Sequence, residues 1–452
     1  MYLQYVHGKL RVKMIIMKFG GSSVADGPRI ANVANIVELN ADRHPVVIVS
    51  ALGGVTDSLI HLAKAAGSME RKKTIQELKN RHVSTLKSLG LEEGLLNDDF
   101  SKLNDALSEI GSSSKVTEKS MDRVVSFGER MSSKIVAACI RSKGIECAAY
   151  NAYDLGMVTD SNFGNADILP ETYSAIKREF SRIGKGIIPV ITGYIGKDRN
   201  GEITTLGRGG SDYTASIIGA ATGAEEIQIW TDVNGIMTAD PRIVENALNV
   251  KEVSYKEASE LAFMGAKVLH PKTILPAISK NIPVRILNTF NYRHKGTVVL
   301  GDIKTRRRVA SIACKRNIKV INIYTPSMFL AHGFLKKVFG IFEDFKIPID
   351  MISTSEINIS VTVDQKEDIS PAIEELKKIA EIEVLDNRAK VSLVGKNMVI
   401  MPRLLGRLFY ALDGIRVEMI SSSTSEINQS IVVNGQDADK AVRKLHKTFF
   451  GR

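Results

Sequence analysis

A six-residue string occurs twice in the last third of the chain. Ser353-Thr354-Ser355-Glu356-Ile357-Asn358 returns letter for letter as Ser423-Thr424-Ser425-Glu426-Ile427-Asn428. Related runs precede both, Asp350-Met351-Ile352-Ser353 and Glu418-Met419-Ile420-Ser421, with two extra residues in the second copy. Such a match in matching context marks a duplicated structural unit, so one fold must serve both copies.

The first copy reads as a strand at Val320–Tyr324, an amphipathic helix at Gly333–Phe345, and two strands flanking the hexapeptide start. A helix at Glu367–Ala380 and a strand at Ile382–Leu385 close it. That order, βαββαβ, is the ferredoxin-like unit. The second copy starts at Lys390–Val394, runs through a helix around Leu404–Leu412 and the paired strands, and ends in a helix at Asp437–Phe449. It lacks a last strand, and a sheet missing an edge strand exposes unpaired backbone. The unassigned segment Val309–Ala313 is therefore expected to complete the second unit, with the first inserted inside it.

From Met14 to about Leu300 the pattern changes. Short apolar runs (Val46–Val49, Ile187–Ile191, Ile227–Trp230) end in polar, glycine-containing turns and alternate with helical periodicity. This predicts an α/β fold, a mostly parallel open sheet covered by helices on both faces. Residues 68–120 read instead as a polar helical excursion, with Ser112-Ser113-Ser114 as a turn.

The 452 residues, about three typical domain lengths, leave room for both parts. Three scattered cysteines, Cys139, Cys147 and Cys314, suit a reducing cytoplasm. No apolar run approaches the roughly 18 residues of a membrane span. Residues 1–13 read as a loose N-terminal extension without a secretory signal, Met14 and Met17 being alternative starts. The net charge of +11 raises nucleic-acid binding. The one sharp basic cluster, Arg306-Arg307-Arg308, carries no interleaved aromatic side chains, so no nucleic-acid partner is expected.

Five glycine- or turn-rich segments carry candidate chemistry. Lys18-Phe19-Gly20-Gly21-Ser22-Ser23 follows a short apolar strand, where backbone N–H groups can approach phosphate oxygens and the lysine can neutralise charge. Thr204–Asp212 is a second such loop ahead of an apolar helix at Ala215–Ala221. In it, Arg208 can clamp a carboxylate or phosphate. Asp212 either caps the helix or orients a catalytic lysine. Trp230–Gly235 and Ala239–Arg242 follow a strand end, the usual ligand position in open α/β sheets, although Asn-Gly and Asp-Pro are also plain turn dipeptides. Gly265–Pro271 sets Lys267 in an apolar stretch, either snorkelling to solvent or touching phosphate. Glu129, near the start of an apolar helix, suits either the helix dipole or a bound ammonium. No metal-ligand spacing is evident.

Together with Ser50–Asp57, Phe127–Ser132 and Thr192–Gly196, these segments occur in the order shown by aspartokinases, members of the amino acid kinase family, which the chain resembles from Met14 onward. The duplicated units resemble that family's paired, interleaved ACT domains. The resemblance implies a kinase domain at 14–300, a first ACT unit at 318–388, and a second formed by 305–317 with 389–452. It implies ATP-dependent phosphorylation of the β-carboxylate of L-aspartate, with Mg²⁺ bridging phosphates. Lys18 and Asp212 are the catalytic pair it implies. Ser50, Thr56, Glu129, Arg208 and Ser211 would bind aspartate. Gly20, Gly21, Ser22, Thr231, Asp232, Met237, Arg242 and Lys267 would join Lys18 on ATP. Met237 stands where many relatives have tyrosine, and Tyr194 where phenylalanine is usual.

The first ACT unit is most similar to that of lysine-inhibited enzymes. This implies an effector site at Met328, Phe334, Leu335, Asp350, Ser355 and Glu356. A homodimer through the ACT units follows from the resemblance, with a tetramer as the alternative. Because the chain ends in the last helix of the second repeat, a monofunctional enzyme without a fused homoserine dehydrogenase is expected.

Overall fold

A computed structural model describes residues 5–6, 9–10, 14–65, 69–113, 115–265, 269–303, 309–326, 332–398, 401, 403–422 and 427–451. Two compact units are present. One comprises Met1–Ile236, Lys251–Tyr255 and Val268–Ile303; the other comprises Met237–Val250, Lys256–Lys267 and Lys304–Arg452. Residues 237–250 and 256–267 thus pack with the C-terminal unit, although they lie within the segment 14–300.

The N-terminal unit is built on an eight-stranded sheet: β1 (Ile15–Phe19), β2 (Pro45–Val49), β3 (Cys147–Tyr150), β4 (Ile188–Thr192), β5 (Glu226–Thr231), β6 (Glu252–Ser254), β7 (Val284–Asn288) and β8 (Thr297–Leu300). Its order is β6-β8-β7-β5-β1-β2-β4-β3, parallel throughout except between β7 and β8. Helices cover both faces, so the central strands are continuous apolar runs; all five residues of β2 and of β4 are buried. The helix Gly27–Glu38 follows β1, its N-cap Asp26 accepting from Arg29 N at 3.0 Å. The polar excursion is three helices, Met69–Ser88, Asn97–Ser113 and Glu118–Val125. The second of these continues through Ser112 and Ser113, where a turn was expected. The helix after the second glycine loop starts at Gly210, five residues earlier than its apolar run, because the glycine turn itself supplies the first helical residues.

In the C-terminal unit one six-stranded antiparallel sheet contains both repeats. Its central strands are long: β9 (Val309–Tyr324) and, after β10 (Met351–Thr354) and β11 (Asn358–Asp364), β12 (Glu381–Gly395); β13 (Val417–Ser422) and β14 (Asn428–Asn434) follow. The front of β9, Val309–Lys315, pairs with Lys390–Gly395 of the second copy, and its rear, Ile318–Tyr324, pairs with Glu381–Arg388 and β11. What reads as two strands is one, because the polar Lys315-Arg316-Asn317 step is a bulge rather than a break. Asn317 and Asn387 adopt left-handed φ values of 55° and 53° there, which asparagine tolerates. Each repeat buries its own helices on the sheet, Val338, Phe342 and Leu376 in the first, Leu408, Val442 and Leu445 in the second. Among the described residues no helix is long and apolar enough to cross a membrane.

Candidate active site

The strand ends β1, β2, β4 and the hairpin Ile195–Lys197/Ile203–Thr205 open onto one cavity of about 480 Å³. Lys18, Gly21, Ser50, Thr56, Glu129, Arg208 and Ser211 line it, with Gly164 and Tyr194. It lies off the carboxyl ends of parallel strands, where open α/β sheets place ligands.

Its floor consists of two turns in backbone contact. After β1, Ser23 N donates to Gly20 O at 2.9 Å, and Arg29 Nη1 holds Ser22 O at 2.8 Å. After β2, Ser50 N donates to Phe19 O at 3.1 Å. A Cβ at Gly21 would sit 3.0 Å from Ala51 O, so glycine is what lets the turns meet. Ser50 Oγ donates to Ser211 Oγ at 3.0 Å, linking the second turn to the helix Gly210–Thr222. Thr56 stands in the first turn of the helix Val55–Lys64.

Lys18 and Asp212 form an ion pair of 2.5 Å, their side chains 12% and 13% exposed. Asp212 lies in the first turn of its helix, so it both complements the helix dipole and fixes the ammonium at the cavity edge. Glu129, 3% exposed, also lines the cavity, from the helix Phe127–Arg141. Its Oε1 accepts from Ala51 N at 3.1 Å, while buried Oε2 has no hydrogen-bond partner among the described residues. Burial raises its pKa to about 8 against the pull of the Ala51 hydrogen bond. A dry carboxyl group with one oxygen unmatched thus lines the cavity, where a cationic partner would favour its ionised form. Arg208 is exposed at the rim, between Gly207 and Gly209, whose φ values of 68° and 76° shape the loop.

Other expected residues lie elsewhere. Gly20 and Ser22 belong to the first turn but do not line the cavity. Thr231 Oγ1 donates to Asp232 Oδ1 at 3.1 Å at the end of β5. Met237 and Arg242 belong to the C-terminal unit: Met237 O accepts from Ser311 Oγ at 2.7 Å, and the 89%-exposed Arg242 side chain is forked on Asp240. Lys267 and Met328 fall outside the described residues. In the first repeat Phe334 is buried and Leu335 exposed at the start of the helix Phe334–Asp344. Asp350 is ion-paired with Lys315 rather than free, and Ser355 and Glu356 sit exposed in the turn after β10.

Sequence reasoning missed two side chains that build the site. Arg81, from the excursion, donates to Gly53 O at 2.5 Å and Ala25 O at 3.2 Å, clamping both turns. Asp122 is 1% exposed and accepts from Gly164 N and Thr205 N, each at 2.9 Å, and from Thr205 Oγ1 at 2.7 Å. An arginine in a polar helix leaves no signal; an acid on the apolar face of a helix does, and Asp122 could have been found that way.

Residues 13–288 match the amino acid kinase family, and residues 321–378 and 391–449 each match an ACT domain. Aspartokinase 1, chloroplastic, of Arabidopsis thaliana is 38% identical, the match covering 96% of this chain and 80% of that protein. The structure of E. coli aspartokinase III in complex with lysine and aspartate (T-state) superposes with a TM-score of 0.84 at 30% identity, covering 97% of this chain and 99% of that one. The same enzyme with aspartate and ADP (R-state) gives 0.79 at 30% identity, covering 97% and 100%. The chain belongs to the aspartokinases of the amino acid kinase family.

Proposed function

We propose that this chain phosphorylates the β-carboxylate of L-aspartate from ATP, giving 4-phospho-L-aspartate, the first step of the aspartate pathway to lysine, threonine and methionine. The observation that carries the residue assignment is the unmatched Oε2 of Glu129, buried on a cavity that also holds the Lys18–Asp212 pair and Arg208. Glu129 takes the aspartate ammonium and Arg208 its α-carboxylate, with Ser50, Thr56 and Ser211 supplying hydroxyls. Those anchors direct the β-carboxylate towards Lys18. A carboxylate is already ionised at pH 7, so it needs no general base, only alignment and screening of anion–anion repulsion. Lys18 supplies that screening on the transferred phosphoryl group, and Asp212 holds its ammonium in place.

Gly20, Gly21, Ser22, Thr231 and Asp232 take the nucleotide in this reading. The described residues contain no group of three or more His, Cys, Asp or Glu side chains able to hold a metal. Mg²⁺ would enter this reading on phosphate oxygens and water, where it would supply charge neutralisation between the phosphates.

In this reading the kinase domain is 14–300, the first ACT unit 318–388, and the second 305–317 with 389–452; the insertion of the first in the second is supported by the pairing of Val309–Lys315 with Lys390–Gly395. Lysine is the effector, bound at the first ACT unit around Phe334, Asp350 and Glu356, where it must displace the Lys315 side chain from Asp350. The ACT units join two copies, a role supported by the exposed Leu335, Phe345 and Ile352 of the first repeat. Three free cysteines suit a cytoplasmic setting.

Coupled ADP release tests the reading, with aspartate, glutamate or neither as acceptor and with lysine or threonine added. Aspartate-dependent release, suppressed by millimolar lysine, is expected. Release that is unchanged by lysine and inhibited by threonine would sink the effector assignment, and glutamate-dependent release would replace the acceptor.

A further inference from the structure

We propose that Asp122 is a positioning residue that sets the separation of Glu129 and Arg208, and thereby the preference for an acceptor of aspartate's length. This rests on the reading of the cavity as the amino-acid site.

Asp122 and Glu129 ride on one rod. The helix Glu118–Val125 passes into Phe127–Arg141 through Ser126, which keeps helical dihedrals. Bonding continues across that junction, Ser126 N to Asp122 O at 3.1 Å and Arg130 N to Ser126 O at 3.2 Å. Seven residues therefore set the two backbone positions roughly 10 Å apart along the axis. Arg208 sits instead on a loop with two left-handed glycines, which lends the guanidinium little stiffness of its own.

Asp122 joins these parts. Its Oδ2 accepts both backbone N–H groups, of Gly164 on the cavity wall and of Thr205 three residues before Arg208. Its Oδ1 accepts the Thr205 hydroxyl. Thr205 is fully buried, so without Asp122 its N–H would lose its acceptor and the loop would shift to find another. No ion pair reaches Asp122 among the described residues, so its role is that of a multiple acceptor. Asparagine can fill it: its carbonyl replaces Oδ2, and its amide donates to a rotated Thr205 hydroxyl.

Steady-state kinetics of Asp122→Ala, Asp122→Asn and Thr205→Val, with aspartate, glutamate and ATP each varied, test this. Aspartate turnover by the unsubstituted protein is read first, so failure of the site reading appears there and failure of this inference only in the variants. Asp122→Ala should raise the aspartate KM about 10-fold or more and narrow the aspartate-over-glutamate kcat/KM ratio about 10-fold, with kcat and the ATP KM within about threefold. Asp122→Asn should stay within about threefold of the parent, and Thr205→Val, losing one bond of three, should raise the aspartate KM about threefold without touching ATP. The inference is overturned if Asp122→Asn is as impaired as Asp122→Ala, if kcat and both KM values move together, or if Thr205→Val leaves aspartate KM unchanged. Should Asp122→Ala fail to fold, the other two variants decide alone.

Discussion

Lys18→Ala is expected to lower kcat by roughly 10³-fold, the scale of removing a preorganised charge from a transferring group. The loss should fall on kcat rather than on the aspartate KM, because the proposed reading sets Lys18 against the phosphoryl group and holds the amino acid by Glu129 and Arg208. Two effects add. The ammonium no longer offsets developing charge, and Asp212, stripped of its 2.5 Å partner, leaves a carboxylate beside the phosphates. Asp212→Ala removes the repulsion and keeps the cation, so it should cost less, about 10-fold. The double variant should then be milder than the product of the two single losses. Lysine binding, which the proposed reading assigns to the first ACT unit, should survive in all three. Turnover by Lys18→Ala equal to that of the parent would refute its role.

Glu129→Gln is expected to raise the aspartate KM roughly 30- to 150-fold, since a hydrogen bond to a charged partner in a dry site contributes about 2–3 kcal/mol. The pH dependence carries a sharper signature. In the free site burial holds Glu129 protonated up to about pH 8, against an ordinary value of 4.5. Pairing with the aspartate ammonium requires the ionised form, so binding below pH 8 releases a proton. The aspartate KM should therefore fall as pH rises towards 8, with a limiting slope of about 10-fold per unit, and level off above it. Glu129→Gln should flatten that profile. Folding stability without ligand has the opposite sense. A raised acid contributes stability fully present below pH 4.5 and lost as pH rises through about 8. Isothermal titration in two buffers of different ionisation enthalpy reads the released proton, and a pH-independent KM between 6 and 8 would contradict the account.

Much of the fold was legible because burial on both faces writes itself into sequence. β2 and β4 are apolar runs because helices leave them no wet side. The duplicated hexapeptide likewise announced two related units. What sequence hid was continuity: Lys315-Arg316-Asn317 is polar and reads as a loop, yet a left-handed asparagine turns it into a bulge within β9. The site divides the same way. Lys18, Ser50, Thr56, Glu129, Arg208 and Ser211 stand at strand ends or helix starts, and β1, β2 and the helix Gly210–Thr222 bring them around one cavity. Met237 and Arg242 follow β5 closely in sequence, but their segment packs with the other unit. Arg81 acts through backbone carbonyls, for which no motif exists, and Asp122 shows only as an acid on the apolar face of its helix.

Trapping the acyl phosphate with hydroxylamine tests the central claim most directly. With ATP, Mg²⁺ and L-aspartate the protein should form aspartyl β-hydroxamate in step with ADP, and far less hydroxamate when aspartate is replaced by glutamate. ADP release without hydroxamate, or hydroxamate from glutamate alone, would contradict phosphorylation of the aspartate β-carboxylate.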